Sequence, residues 1–191
     1  MSLNKVANLL FFIALLFSFS CREIVEKPTI EIFTLKSSDL NIEIPYDSIQ
    51  KEFLYAPKFN VTQDLLNEKP LITDKEILCL DTISGKIELT AEAINKIVDL
   101  KSSMKHGIKF VICQDKEPLF TGYFWSSLSS YGSMWNSIEY NHTEKASQPT
   151  KLNIYKGNGI DASKREKISF ANYKELVQIL TESDRIGCKS N

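Results

Sequence analysis

The side chains able to act as nucleophiles, bases or metal ligands are few in this chain, and they are scattered. Ser102-Ser-Met-Lys105 has the Ser-x-x-Lys spacing of a lysine-activated serine. No Ser-Asp-Asn or Lys-Thr-Gly follows it, and the stretch reads as a solvated helix end. The serines at 126, 127, 129 and 130 lack the Gly-x-Ser-x-Gly turn that lifts a nucleophile out of a sheet. His106 and His142 are the only imidazole bases. His106 adjoins Gly107 and suits a helix C-terminus, where the dipole favours positive charge; His142 lies in a polar stretch and reads as solvent-exposed. Gly157-Asn-Gly-Ile-Asp161 lacks the Gly-Lys-Ser/Thr ending of a phosphate loop and reads as a turn.

Metal binding needs Cys, His or carboxylates clustered at ligand spacing. Cys79 and Cys113 stand alone in apolar runs and Cys188 lies near the C-terminus, so neither a metal nor another cofactor is expected. Cys79 and Cys113 read as buried small hydrophobes, or as a disulfide if their strands are neighbours in an oxidising compartment. Trp125, Tyr131 and Trp135 form the densest aromatic cluster, with Tyr123 and Tyr140 close in sequence and Ser and Asn between them. Such a cluster either stacks a sugar ring on a surface or fills a core. The two outcomes differ in whether the tryptophans are exposed.

These residues must be positioned by elements that the periodicity predicts. Ile108–Cys113 and Leu119–Trp125 are apolar and aromatic runs joined by a charged, turn-forming stretch, the pattern of a β-hairpin over 108–125. Side chains alternate along a strand, so Phe110 and Ile112 share one face and Val111 and Cys113 the other. Both faces are apolar, which places the pair centrally with cover on both sides. Gly122 marks a close approach or a bulge. Upstream, Thr90 is a good N-cap, Glu92 suits the first turn, and Ile94, Ile97, Val98 and Leu100 form one stripe. A helix over about 90–105, stopped by Gly107, follows. Strands are expected at Thr29–Lys36, Ile77–Asp81, Lys86–Leu89, Asn136–Tyr140, Lys151–Tyr155 and Glu166–Phe170. A second helix is expected over 171–182, burying Tyr173, Leu176, Val177 and Leu180. Ser37–Lys69 reads as an irregular but packed segment, because it holds Tyr46, Phe53, Tyr55 and Phe59. The resulting class is α+β: a mostly antiparallel sheet with two amphipathic helices in one domain over 29–182, and a frayed tail over 183–191.

Of 191 residues, 23 are basic and 24 acidic, a balance that does not favour nucleic acid or another polyanion. The first twenty residues read as a signal peptide, with Lys5 as the positive start and Val6–Phe19 as an apolar stretch short for a membrane span. Ser20 directly before Cys21 resembles the lipobox of bacterial lipoproteins, in which the cysteine is acylated and becomes the mature N-terminus. Ser18 stands where that pattern usually has Leu. The resemblance implies a lipid-anchored protein of the cell envelope, at the outer membrane, with 21–28 as a short tether. About 170 residues remain beyond the leader, enough for one domain with a real core.

Over most of the mature chain the sequence resembles a group of uncharacterised Bacteroidetes lipoproteins. The resemblance rests on Ile30-Glu-Ile-Phe-Thr-Leu-Lys36, Pro70-Leu-Ile-Thr73, the strand Thr121-Gly-Tyr-Phe-Trp125 with the serines after it, and the late segment Asp161 to Lys167. That family carries no assigned activity, so the likeness implies a location and a fold but no site. A shorter likeness, Leu89-Thr-Ala-Glu-Ala93 with Phe110 to Leu119, resembles the periplasmic head of the SecD protein-export subunit and is an analogy of fold. The expectation is a non-catalytic envelope lipoprotein that binds an envelope protein or a glycan and no nucleic acid. The alternatives are a glycan-binding module built on Trp125, Tyr131 and Trp135, and an enzyme whose site is unfamiliar.

Overall fold

A computed structural model of the chain describes residues 27–36, 46–47, 52–53, 55–101, 106–157 and 165–188. Its strands are β1 (Ile30–Thr34), β2 (Tyr46–Asp47), β3 (Glu52–Phe53), β4 (Ile77–Asp81), β5 (Lys86–Leu89), β6 (Ile108–Gln114), β7 (Glu117–Ser126), β8 (Asn136–Tyr140), β9 (Thr150–Lys156) and β10 (Glu166–Lys167). Two helices, α1 (Ala91–Asp99) and α2 (Lys174–Glu182), complete it. Eight strands form one sheet in the order β1-β6-β7-β8-β9-β5-β4, with β10 on β9; β2 and β3 make a separate ribbon. All pairings in the large sheet are antiparallel except β7–β8, so the protein is a mixed α/β fold with a mostly antiparallel sheet. Ile72 bridges to Ile32 of β1, and five residues later the same stretch becomes β4, at the far end of the strand order. One continuous segment thereby joins both margins, and the sheet curls into a nearly closed, barrel-like form.

The hairpin predicted over 108–125 is β6–β7, and its residues explain its geometry. Asp115 and Lys116 both have positive φ, 49° and 68°, which is the two-residue turn whose twist matches that of the strands. β6 lies between β1 and β7 and is covered on both faces. Phe110 and Ile112 enter the main core; Val111 and Cys113 enter a second cluster with Phe33, Leu35 and Leu66 on the outer face. The segment from Tyr55 to Leu66 supplies that outer cover through Ala56, Phe59, Val61 and Leu65, so this part of the proline-rich stretch is packed. Gly122 marks a close approach: a Cβ there would stand 2.7 Å from the Phe110 ring and 3.0 Å from the Asn136 carbonyl.

Both helices feed the main core. In α1, Thr90 accepts a hydrogen bond from the Ala93 N–H, and Ala93, Ile94, Ile97 and Val98 are buried. The helix is shorter than expected. It ends at Asp99, and Lys101 turns into the left-handed region with φ 50°; residues 102–105, including the Ser-x-x-Lys spacing, lie outside the described residues. Gly107 is therefore no helix stop. It has φ 61°, and a Cβ there would lie 2.7 Å from the Trp125 ring, so glycine is required by the contact with that tryptophan. α2 begins at Lys174, after a single 3-10 turn over Phe170–Asn172 that shortens the expected strand to β10. Leu176, Ile179 and Leu180 are its buried residues, while Tyr173 stands at its cap and Val177 is half-buried. Among the described residues no helix is long and apolar enough to cross a membrane.

The tail expected to fray is tied down as far as Cys188. Arg185 makes a two-pronged ion pair with Asp74. The Leu80 N–H donates to the Arg185 carbonyl and the Gly187 N–H to the Leu80 carbonyl, both at 2.9 Å. Cys188 is disulfide-bonded to Cys79, with the two Cα atoms 5.3 Å apart. The expected Cys79–Cys113 pairing is corrected: β4 and β6 are not neighbours, and Cys113 is a free thiol buried in the outer cluster beside Phe33 and Val111. Burial pushes the Cys113 thiol up to about 12, so it stays protonated and inert.

Candidate ligand groove

The expected aromatic cluster is divided by the fold. Trp125 is 1% exposed, packed edge-on against Tyr123 and over Gly107, with Nε1 donating to the Tyr131 carbonyl at 3.2 Å. It has no face to offer a ligand, and its expected stacking role is withdrawn. The reason is strand alternation: Tyr123 and Trp125 point to the outer face, which the segment around Ala56 covers. Tyr131 is half-buried against Tyr55, ring centroids 4.7 Å apart. Trp135 lines a depression. Cys21 lies outside the described residues.

That depression, about 440 Å³, is formed by Lys58–Val61, Pro118–Thr121, Trp135 and the turn holding Asn172 and Tyr173. A second, of about 420 Å³, adjoins it and shares Leu119, Asn172 and Tyr173 before continuing past Lys174 to Leu176. Together they make one open groove across the start of β7 and the entry to α2. Several of its polar groups are held from behind. Trp135 Nε1 donates to Thr121 Oγ1 at 3.1 Å. Asn136, 2% exposed, spends both hydrogens of its amide, one on the Thr121 carbonyl and one on the Tyr173 hydroxyl, each at 3.0 Å. Lys58 Nζ sits 5.1 Å from the centre of the Trp135 ring, a cation–π contact. Tyr173 packs on Phe120, ring centroids 4.8 Å apart. By periodicity Tyr173 belongs to a buried helix face, and no pattern in the sequence marks Asn136 or Lys58 as site residues. Asn136 shows there only as a single amide opening a run whose Ile138 and Tyr140 go inward.

The other chemistry-bearing groups meet in unexpected pairs. His142, expected to be exposed, is half-buried, with Nδ1 2.6 Å from the oxygen of buried Ser126. The same Ser126 Oγ accepts the Leu128 N–H at 3.2 Å. Among the described residues no carboxylate bonds the far ring nitrogen of His142, and Ser126 is 3% exposed. The pair brackets the loop after β7 to the turn after β8. Cys79, Cys188 and Glu88 bring their sulfur and oxygen atoms within 4.8 Å of one another, but the oxidised pair offers no thiolate for a metal. Ser137 Oγ is buried with no hydrogen-bond partner among the described residues. It alternates with Asn136 and Ile138 and so points away from the main core.

No protein-family model, no curated protein and no solved structure matches this chain.

Proposed function

We propose that this protein is a non-catalytic binding domain of a bacterial envelope lipoprotein, held at the outer membrane through an acylated Cys21, with the groove along Trp135 and Tyr173 as its ligand site. The resemblance to Bacteroidetes lipoproteins and the leader ending in Ser20-Cys21 support the address. The groove itself carries the binding reading: two adjoining depressions of about 440 and 420 Å³ fall in the range of small-ligand sites and combine the surfaces of Leu119, Trp135 and Tyr173 with placed polar groups. Its polar atoms are oriented by a buried amide, an arrangement suited to holding a ligand in one pose.

Two measurements test the reading. Metabolic labelling with a palmitate analogue should mark the wild type and leave Cys21→Ala unlabelled and released from membranes; a labelled Cys21→Ala variant would refute the anchor. A photo-crosslinking amino acid at exposed Asn172 should yield an adduct in cells, whereas one at Ser84, in the β4–β5 turn, should not. Equal yield at both positions would refute the groove.

A further inference from the structure

The charged side chains that line the groove are two lysines against one carboxylate, and two of its hydroxyls have protons to give. Thr121 Oγ1 and the Tyr173 hydroxyl each accept a bond from behind, from Trp135 and Asn136 respectively. Their oxygens are thus fixed, and among the described residues neither hydroxyl proton is given to a protein acceptor. Lys58 lines one half of the groove and Lys174 the other, and neither is ion-paired among the described residues. Asn60 and Asn172 add exposed amides. Against these stands one lining carboxylate, Glu175.

We infer that the groove binds an acidic oligosaccharide, a hydroxyl-rich chain bearing carboxylate or sulfate groups. Its anionic groups lie at Lys58 and Lys174, and its ring oxygens or hydroxyls take the protons of Thr121 and Tyr173. Its C–H faces meet the aromatic and apolar surface of Trp135, Tyr173 and Leu119. This rests on the groove being the ligand site and names the ligand's class. An extended peptide fits less well. β8 pairs with β7 only from Tyr123 onward, which leaves the start of β7 open toward the groove. That edge is blunted by Pro118, which has no N–H, and by the Asn136 amide on the Thr121 carbonyl, so strand addition is obstructed. The near-zero net charge disfavours a long polyanion such as nucleic acid.

The test is an array of uronate-bearing, sialylated and sulfated oligosaccharides printed beside their neutral counterparts, probed with detergent-purified full-length protein and followed by titration of the best hit. Acidic members should bind at least about tenfold more tightly than neutral ones, and added salt should weaken them. Lys58→Gln and Lys174→Gln should each reduce affinity several-fold, and Tyr173→Phe should do so for acidic and neutral members alike. Both lysines are exposed, so thermal melts of the two lysine variants should match the wild type. Equal binding of neutral members, or acidic binding untouched in the double lysine variant, would overturn the inference. A blank array with a protein adduct at Asn172 would overturn the ligand class and leave the groove standing. A blank array with no adduct at Asn172 would overturn both.

Discussion

Replacing Cys188 by Ser removes the disulfide that fastens the C-terminal segment to β4. The two cysteines are 109 residues apart in sequence. In the chain-entropy account, a cross-link over about 100 residues restricts the unfolded chain by roughly 4.7 kcal/mol, and measured losses run to about 2–5 kcal/mol. The native tail keeps other fastenings: the Arg185–Asp74 ion pair and the two backbone bonds to Leu80. Cys188→Ser should therefore fold, and lose about 3–5 kcal/mol out of the roughly 5–15 kcal/mol typical of a domain. Urea denaturation of the oxidised wild type against the variant measures this. The midpoint should fall and the slope should rise, because the uncross-linked chain exposes more surface when it unfolds. A non-reducing peptide map should join the Cys79 and Cys188 peptides. Iodoacetamide should reach Cys113 only after unfolding, since that thiol is buried and protonated. A loss under about 1 kcal/mol with the bond present would refute the unfolded-chain argument. A map joining Cys79 to Cys113 would refute the fold around the tail.

Gly122→Ala should destabilise by about 1–3 kcal/mol, because the new methyl overlaps the buried Phe110 ring. Phe110→Leu should recover part of that loss in a double-mutant cycle, and strict additivity of the two changes would count against the contact. Asp74 is held below its ordinary range by the hydrogen bonds from Arg185, which outweigh its partial burial. Its contribution is fully present above about pH 4 and is lost as pH falls through the lower folded value, so urea midpoints should drop more steeply below about pH 4 in the wild type than in Asp74→Asn. Glu76 adds to the same slope: burial pushes it up, but hydrogen bonds from Lys96 and Thr73 together bring it below its usual value. Ser137→Ala removes a buried hydroxyl without a partner among the described residues; it should leave stability unchanged or raise it by about 1 kcal/mol, and thermal melts decide.

The local elements were legible because their determinants are local. The hairpin, its two apolar faces, the Thr90 cap, the stripe of α1 and the close approach at Gly122 each follow from neighbouring residues and the period of the backbone. Errors fell where a nearby explanation competed with a distant one. Gly107 looked like a helix stop because it follows a helical stripe, yet Trp125, brought over it by strand pairing, is what requires a glycine. The tail looked loose because it is a chain terminus, yet Arg185 and Cys188 find their partners on the far side of the sequence.

The groove shows the same division. Its walls come from residues 58–61, 118–121, 135 and 171–176, and nothing in any one stretch marks it. Tyr123, Trp125 and Trp135 are chemically alike in the sequence. Strand alternation and the cover laid over the outer face bury the first two and leave the third lining a depression. What the residues determined by themselves is which faces are apolar and where turns and caps fall. What the tertiary structure alone decided is which strands are neighbours, which cysteines meet and which aromatics stay accessible. Those outcomes depend on closing long loops around a curled sheet, and the period of a single segment carries no information about its distant partner.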